Sequence, residues 1–145
     1  MLYVVTGPPT SGKSSWIQAH AKPTDIVIDL DLITHALSGP GAPQWNQDPV
    51  QLRVAHKARF AAMHEAFEVR DQTDVYLIHT MPSRKALARY KRLDARIVTV
   101  DPGREIVMQR IDAMRDPDMR RVATRWYSTR PARSHQVMPQ SSRAW

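Results

Sequence analysis

Residues 7–14 run Gly7-Pro8-Pro9-Thr10-Ser11-Gly12-Lys13-Ser14 and meet the pattern G-x-x-x-x-G-K-[ST] at every fixed position. An apolar run, Leu2–Val5, leads straight into this stretch, and helical sequence follows from Lys13. Strand, loop and helix in that order are the context the pattern needs. Gly7 and Gly12 allow backbone conformations that turn successive N–H groups toward one anion. The helix start adds the positive end of its dipole. Lys13 offers a point charge to β- and γ-phosphates, and the Ser14 hydroxyl offers an oxygen ligand to Mg²⁺. Pro8, Pro9, Thr10, Ser11 and Ser15 complete the candidate nucleotide-binding set.

Three further apolar runs lie downstream: Ile26–Ile28, Val75–Ile78 and Ile97–Val100. All are rich in Val and Ile and continuous rather than alternating, as in strands buried on both faces of a parallel sheet. Helical patterns separate them. Pro49–Arg70 is the longest, with apolar positions at steps of three and four; Ser83–Leu93 and Arg104–Met114 follow. This alternation predicts an α/β fold with right-handed crossovers. Two segments interrupt it. Ser38–Asp48 is a Gly/Pro-rich loop holding Trp45, and Asp116-Pro117-Asp118 ends one helix and starts another. The expected organisation is one domain over residues 1–130. The tail, 131–145, carries no periodicity and is expected to be poorly ordered or docked on the surface.

Composition narrows the functional classes. A chain of 145 residues with 42% hydrophobic and 24% charged content is long enough for a self-supporting core. It has no cysteine, which excludes disulfides, thiolate catalysis and cysteine-held metals. The histidines show no H-E-x-x-H spacing. No apolar run approaches the ~20 residues a membrane span needs, and no basic leader precedes the first strand, so a cytoplasmic location is expected. The net charge is +7, and arginines crowd the second half from Arg84 to Arg143. Arginine matches phosphate geometry, which points to nucleotide or nucleic acid; a merely solvated basic face is the plainer alternative.

Asp29-Leu30-Asp31 follows the second strand, at the end where open α/β sheets place their ligand crevice. If the chain stays extended there, both carboxylates point to one side. Asp31 is then a candidate base for a hydroxyl, and Asp29 a candidate Mg²⁺ residue alongside Ser14. Either could instead cap the next helix. The third strand ends in His79 and Thr80, where P-loop motors and switches usually carry an acid, which weakens a motor reading.

GPPTSGKS followed by Ser15-Trp16, a second strand ending in Asp-Leu-Asp, the stretch Thr80–Arg84 and an arginine-bearing segment beyond the fourth strand resemble the small P-loop kinases. The layout over roughly residues 1–128 is most similar to bacteriophage-type 5′-hydroxyl polynucleotide kinase domains. The resemblance implies a three-layer P-loop NTPase fold, nucleotide-kinase-like, with a parallel sheet of about four to five strands and an Arg-rich lid. It implies Asp31 as general base, with Lys13 and the lid arginines Arg110 and Arg115 neutralising charge. Arg120 and Arg121 flank the same break. Trp45, His79, Thr80 and Arg84 join Asp31 as candidate acceptor-binding residues. Two positions depart from the family: Leu30 where it carries an arginine, and His79 where it often has aspartate. Trp45 also fits a packing role, and His56, Lys57, Arg59 and His64 on the long helix fit either a groove for an acceptor's phosphate backbone or a solvated helix face. The expected activity is ATP- and Mg²⁺-dependent transfer of the γ-phosphoryl to a hydroxyl, most readily the 5′-hydroxyl of a single-stranded polynucleotide. Two alternatives stay open: a kinase for a nucleoside, nucleotide or other small acceptor, and a nucleotide-regulated nucleic-acid-binding module without transfer.

Overall fold

Val4 and Val5 are fully buried on opposite faces of the first strand, which therefore lies at the centre of the fold. The computed structural model describes residues 1–43, 47–114, 116–129 and, for the backbone, 136–137. The strands are β1 (Leu2–Thr6), β2 (Ile26–Ile28), β3 (Val75–Ile78), β4 (Arg96–Val100) and β5 (Gln136–Val137). They form one sheet in the order β2-β3-β1-β4-β5, and every pairing is parallel. The helices are α1 (Lys13–His20), α2 (Leu30–Leu37), α3 (Pro49–Glu68), α4 (Arg84–Arg92), α5 (Arg104–Met114) and α6 (Pro117–Thr129).

The alternation of side chains along β1 divides the core into two layers. Leu2 and Val4, with Val75 and Leu77, pack against Met63, Ala66 and Phe67 of α3 and Tyr90 of α4. Val5, with Tyr76, Val98 and Val100, packs against Trp16 and Ile17 of α1. Tyr3 lies opposite Tyr76 in the β1–β3 register and stacks on it, ring centroids 4.9 Å apart. The result is the expected three-layer α/β fold, with its parallel sheet between helical layers. Helices α5 and α6 add a small cluster of their own from Val107, Ile111 and Ala123.

Local chemistry sets the boundaries. Asp48 caps α3 by accepting from Val50 and Gln51 N–H, with Pro49 in the first turn, and Ser83 caps α4 through Ala86 N–H. Asp116 accepts from Asp118 and Met119 N–H, so the Asp-Pro-Asp break closes the first turn of α6. Trp126 Nε1 donates to Thr80 O at 3.0 Å, and Tyr127 Oη donates to Asp101 Oδ1 at 2.7 Å. Together they fasten α6 to the carboxyl ends of β3 and β4. Two features go beyond the sequence expectations. α2 begins at Leu30, directly after β2. Gln136–Val137, inside the segment read as a tail, pair with Thr99 and Val100 of β4. A two-residue strand is too short for any hydrophobic period to announce it.

Candidate active site

The loop between β1 and α1 takes the shape its glycines permit. Gly7, Thr10 and Gly12 all have positive φ, at 146°, 64° and 99°. Gly7 is also fixed by space. A Cβ there would lie 2.2 Å from Val100 O and 2.8 Å from Ser11 Oγ. Because the first obstacle is backbone of the central sheet, Gly7→Ala is expected to destabilise the protein by about 3 kcal/mol and to lower Tm by roughly 10 °C. A thermal melt within a degree or two of wild type would contradict this tight approach.

Lys13 opens α1 and folds back over the loop. Its Nζ donates to Gly7 O at 3.0 Å and to Pro8 O at 2.7 Å. Desolvation lowers its pKa to about 8, against the opposing pull of Asp29 and Asp31. A triphosphate beside it favours the charged form and raises that pKa. Nucleotide binding is therefore expected to take up about half a proton at pH 8 and close to one above about pH 9, declining toward zero at pH 6.5. Calorimetry in buffers of different ionisation enthalpy reads that uptake directly, and Lys13→Arg should remove it. Ser11 Oγ, at the turn of the loop, is buried and has no hydrogen-bond partner among the described residues. Buried hydroxyls are rarely left so, and this one lies inside an anion-shaped loop.

Asp29 and Asp31 meet by a different route from the one their spacing suggests. The extended conformation stops at Asp29, which is buried and caps α2, its Oδ1 accepting from Asp31 N at 3.0 Å. Its Oδ2 accepts from Ser14 Oγ at 3.1 Å. Ser14 and Asp29 thus present a hydroxyl and a carboxylate together, oxygen donors of the type a hard divalent cation takes. Asp31 sits in the first turn of α2 on the exposed side. Desolvation of its carboxyl and the charge of Asp29 raise its pKa, while Lys13 and a hydrogen bond from Gln47 oppose the shift.

Arg110 of α5 donates from Nη1 to Thr10 O at 2.8 Å, which brings this arginine onto the phosphate loop itself. Arg120 and Arg121 instead pair with Asp112 and Asp118 on the exposed surface, where such pairs contribute little. Arg115 and Trp45 lie outside the described residues. At the end of β3, His79 Nδ1 shares a hydrogen bond of 2.7 Å with Tyr90 Oη. Desolvation, helped by the Arg59 cation, lowers the His79 pKa to about 4 and keeps the ring neutral. Thr80 is half-buried and its carbonyl serves α6. Arg84 is exposed at the start of α4, and among the described residues no hydrogen bond or ion pair ties it to the loop or to Asp31.

One residue lies elsewhere than the sequence reading grouped it, and one was missed. Arg59 is not on the solvated face with its basic neighbours. It is half-buried, donates from Nη2 to Ile78 O at 3.1 Å, and has its pKa lowered by desolvation, against the pull of Tyr90 and Asp29. Its position in the helical period, four residues after Ala55 and four before Met63 on the buried side, was the available signal. Asp101 ends the apolar run of β4 and is buried, accepting from Tyr127 Oη and Gly103 N. An acid directly after a buried strand is the corresponding mark.

A family model described as AAA domain matches residues 2–137. The chain belongs to this family of P-loop NTPase-like proteins. The match runs from β1 through β5 and so takes in the loop, both carboxylates and the α5–α6 pair. No curated protein matches the chain. No helix among the described residues is long and apolar enough to cross a membrane.

Proposed function

We propose that this AAA-domain protein is a phosphotransferase that moves the γ-phosphoryl of ATP to a hydroxyl, with the 5′-hydroxyl of a polynucleotide as acceptor. The observation that carries the proposal is the placement of an exposed carboxylate, Asp31, beside a buried one that already holds Ser14 of the phosphate loop. A hydrolase needs only to orient water; a base at the open side of the crevice suits an incoming alcohol.

In this reading the loop amides and Lys13 bind the phosphates, and the partnerless Ser11 Oγ turns toward the same anion. Ser14 and Asp29 would hold Mg²⁺, which would supply positive charge to the phosphates. Asp31 accepts the proton as the acceptor oxygen bonds to the γ-phosphorus and the bond to the ADP oxygen breaks. Its raised pKa suits a base that must also release the proton again. Arg110, and Arg115 with it, neutralise charge on the transferred group. Neutral His79, with Thr80 and Arg84, is assigned to the acceptor, and the sequence assigns Trp45 the same role. Arg59 supplies the cation on this side of the site that the sequence pattern left missing at Leu30.

Incubation with γ-labelled ATP tests this against 5′-hydroxyl DNA, 5′-hydroxyl RNA, free nucleosides and no acceptor. Label on oligonucleotides is the expected result. Label on monomers alone would move the assignment to a small-acceptor kinase, and nucleotide binding without any transfer would leave a regulated binding module.

A further inference from the structure

Among the described residues, helix α3 leaves one face exposed from Arg53 to His64. Arg53, His56, Lys57, Phe60 and His64 recur at steps of three and four, share that face and are all exposed. Phe60 stands among them 66% exposed, although large aromatics are normally the residues a core takes first. The packing of α3 is carried instead by Ala55, Met63 and Ala66 on its other side, and by Phe67, two turns beyond Phe60, where the face ends in the core. Among the described residues none of the four basic side chains makes an ion pair. Acids appear on the helix only near its end, at Glu65 and Glu68. From Arg53 to His64 the face extends about 16 Å at the usual rise per residue. It also starts at the site: Gln47, next to the cap of α3, hydrogen-bonds Asp31.

We propose that this face of α3 binds single-stranded nucleic acid, with Phe60 stacked on a base and Arg53 and Lys57 following the phosphates. A cationic rail around an exposed ring is the arrangement that grips single strands without reading their sequence. The proposal rests on the polynucleotide-acceptor reading and deepens it, giving the strand a track that leads to Asp31 from outside the transfer site. Val50 and Val54 are exposed on the same helix, so a second copy of the chain is the rival occupant. Charge favours the nucleic acid. Two copies would bring two unpaired basic faces together on molecules of net charge +7.

The test is fluorescence anisotropy of dye-labelled 5′-hydroxyl DNA and RNA strands with the full-length protein over a salt series. Phe60→Ala is expected to weaken binding about tenfold and Phe60→Trp to restore it. The double variant Arg53→Ala, Lys57→Ala is expected to flatten the log–log salt slope by about 1.4, or ~0.7 per phosphate contact. All these side chains are exposed, so thermal melts should stay at the wild-type value and exclude misfolding. Unchanged affinity and slope in every variant would overturn the proposal, as would a Phe60→Ala variant that turns a dimer into a monomer and binds strands normally. Label transfer is followed in the same samples. Strands that bind through Phe60 but are never phosphorylated keep this face and remove the acceptor assignment. Strands phosphorylated equally well by Phe60→Ala do the reverse.

Discussion

Lys13→Ala is expected to abolish phosphoryl transfer, by about 10³-fold or more, with the fold retained. The lysine opens α1 at the turn of the loop, where its charge can reach the β/γ-phosphates, and preorganised charge in a desolvated crevice is worth far more than in water. Its desolvation is already visible in the lowered pKa. What the folded protein loses is smaller: two hydrogen bonds to Gly7 O and Pro8 O, from a half-buried side chain outside the core. Nucleotide binding should weaken sharply while the thermal midpoint moves little. Wild-type turnover by a well-folded Lys13→Ala protein would place the chemistry elsewhere.

Asp31→Asn is expected to lower transfer by roughly 10²–10⁴-fold, the usual contribution of a general base. The amide keeps the size and can still bond Gln47, but it cannot accept a proton. ATP affinity should change little, because the loop rather than Asp31 holds the triphosphate. Asp29→Asn separates the two carboxylates. Asp29 is buried, caps α2 and holds Ser14, so its loss should cost stability and raise the Mg²⁺ concentration needed for activity. A near wild-type rate for Asp31→Asn with a severe loss for Asp29→Asn would reverse the two roles. Near wild-type rates for both would favour a nucleotide-binding module.

How much of this was legible in the sequence depends on the range of the interactions involved. The phosphate loop was fully legible, because its glycines, lysine and serine are fixed by local backbone geometry within eight residues. The strands were legible because parallel strands buried on both faces concentrate Val and Ile into runs. The relation of Asp29 to Asp31 was left open between an extended pair and a helix cap, and the cap is what the structure has. Alternation along an extended chain gave the right proximity for the wrong reason, since the carboxylate of Asp29 ends the strand by capping α2. Arg59 was grouped with exposed neighbours, because charge alone does not tell on which side of a helix a long side chain lies. Its carbonyl partner, Ile78, is nineteen residues away. Arg110 was placed in a lid, and only tertiary structure could bring it to Thr10, a hundred residues earlier. β5 was invisible for want of length.

The most direct test of the assignment is ADP formation measured with a 5′-hydroxyl oligonucleotide and with the same strand already carrying a 5′-phosphate. The strand is matched in sequence and charge outside its end, so only the accepting hydroxyl differs. Transfer by way of Asp31 predicts one ADP per phosphate gained by the hydroxyl strand and only a background rate with the blocked one. Equal ADP formation with both strands, or with none, would show a hydrolase rather than a kinase and contradict the role given to Asp31.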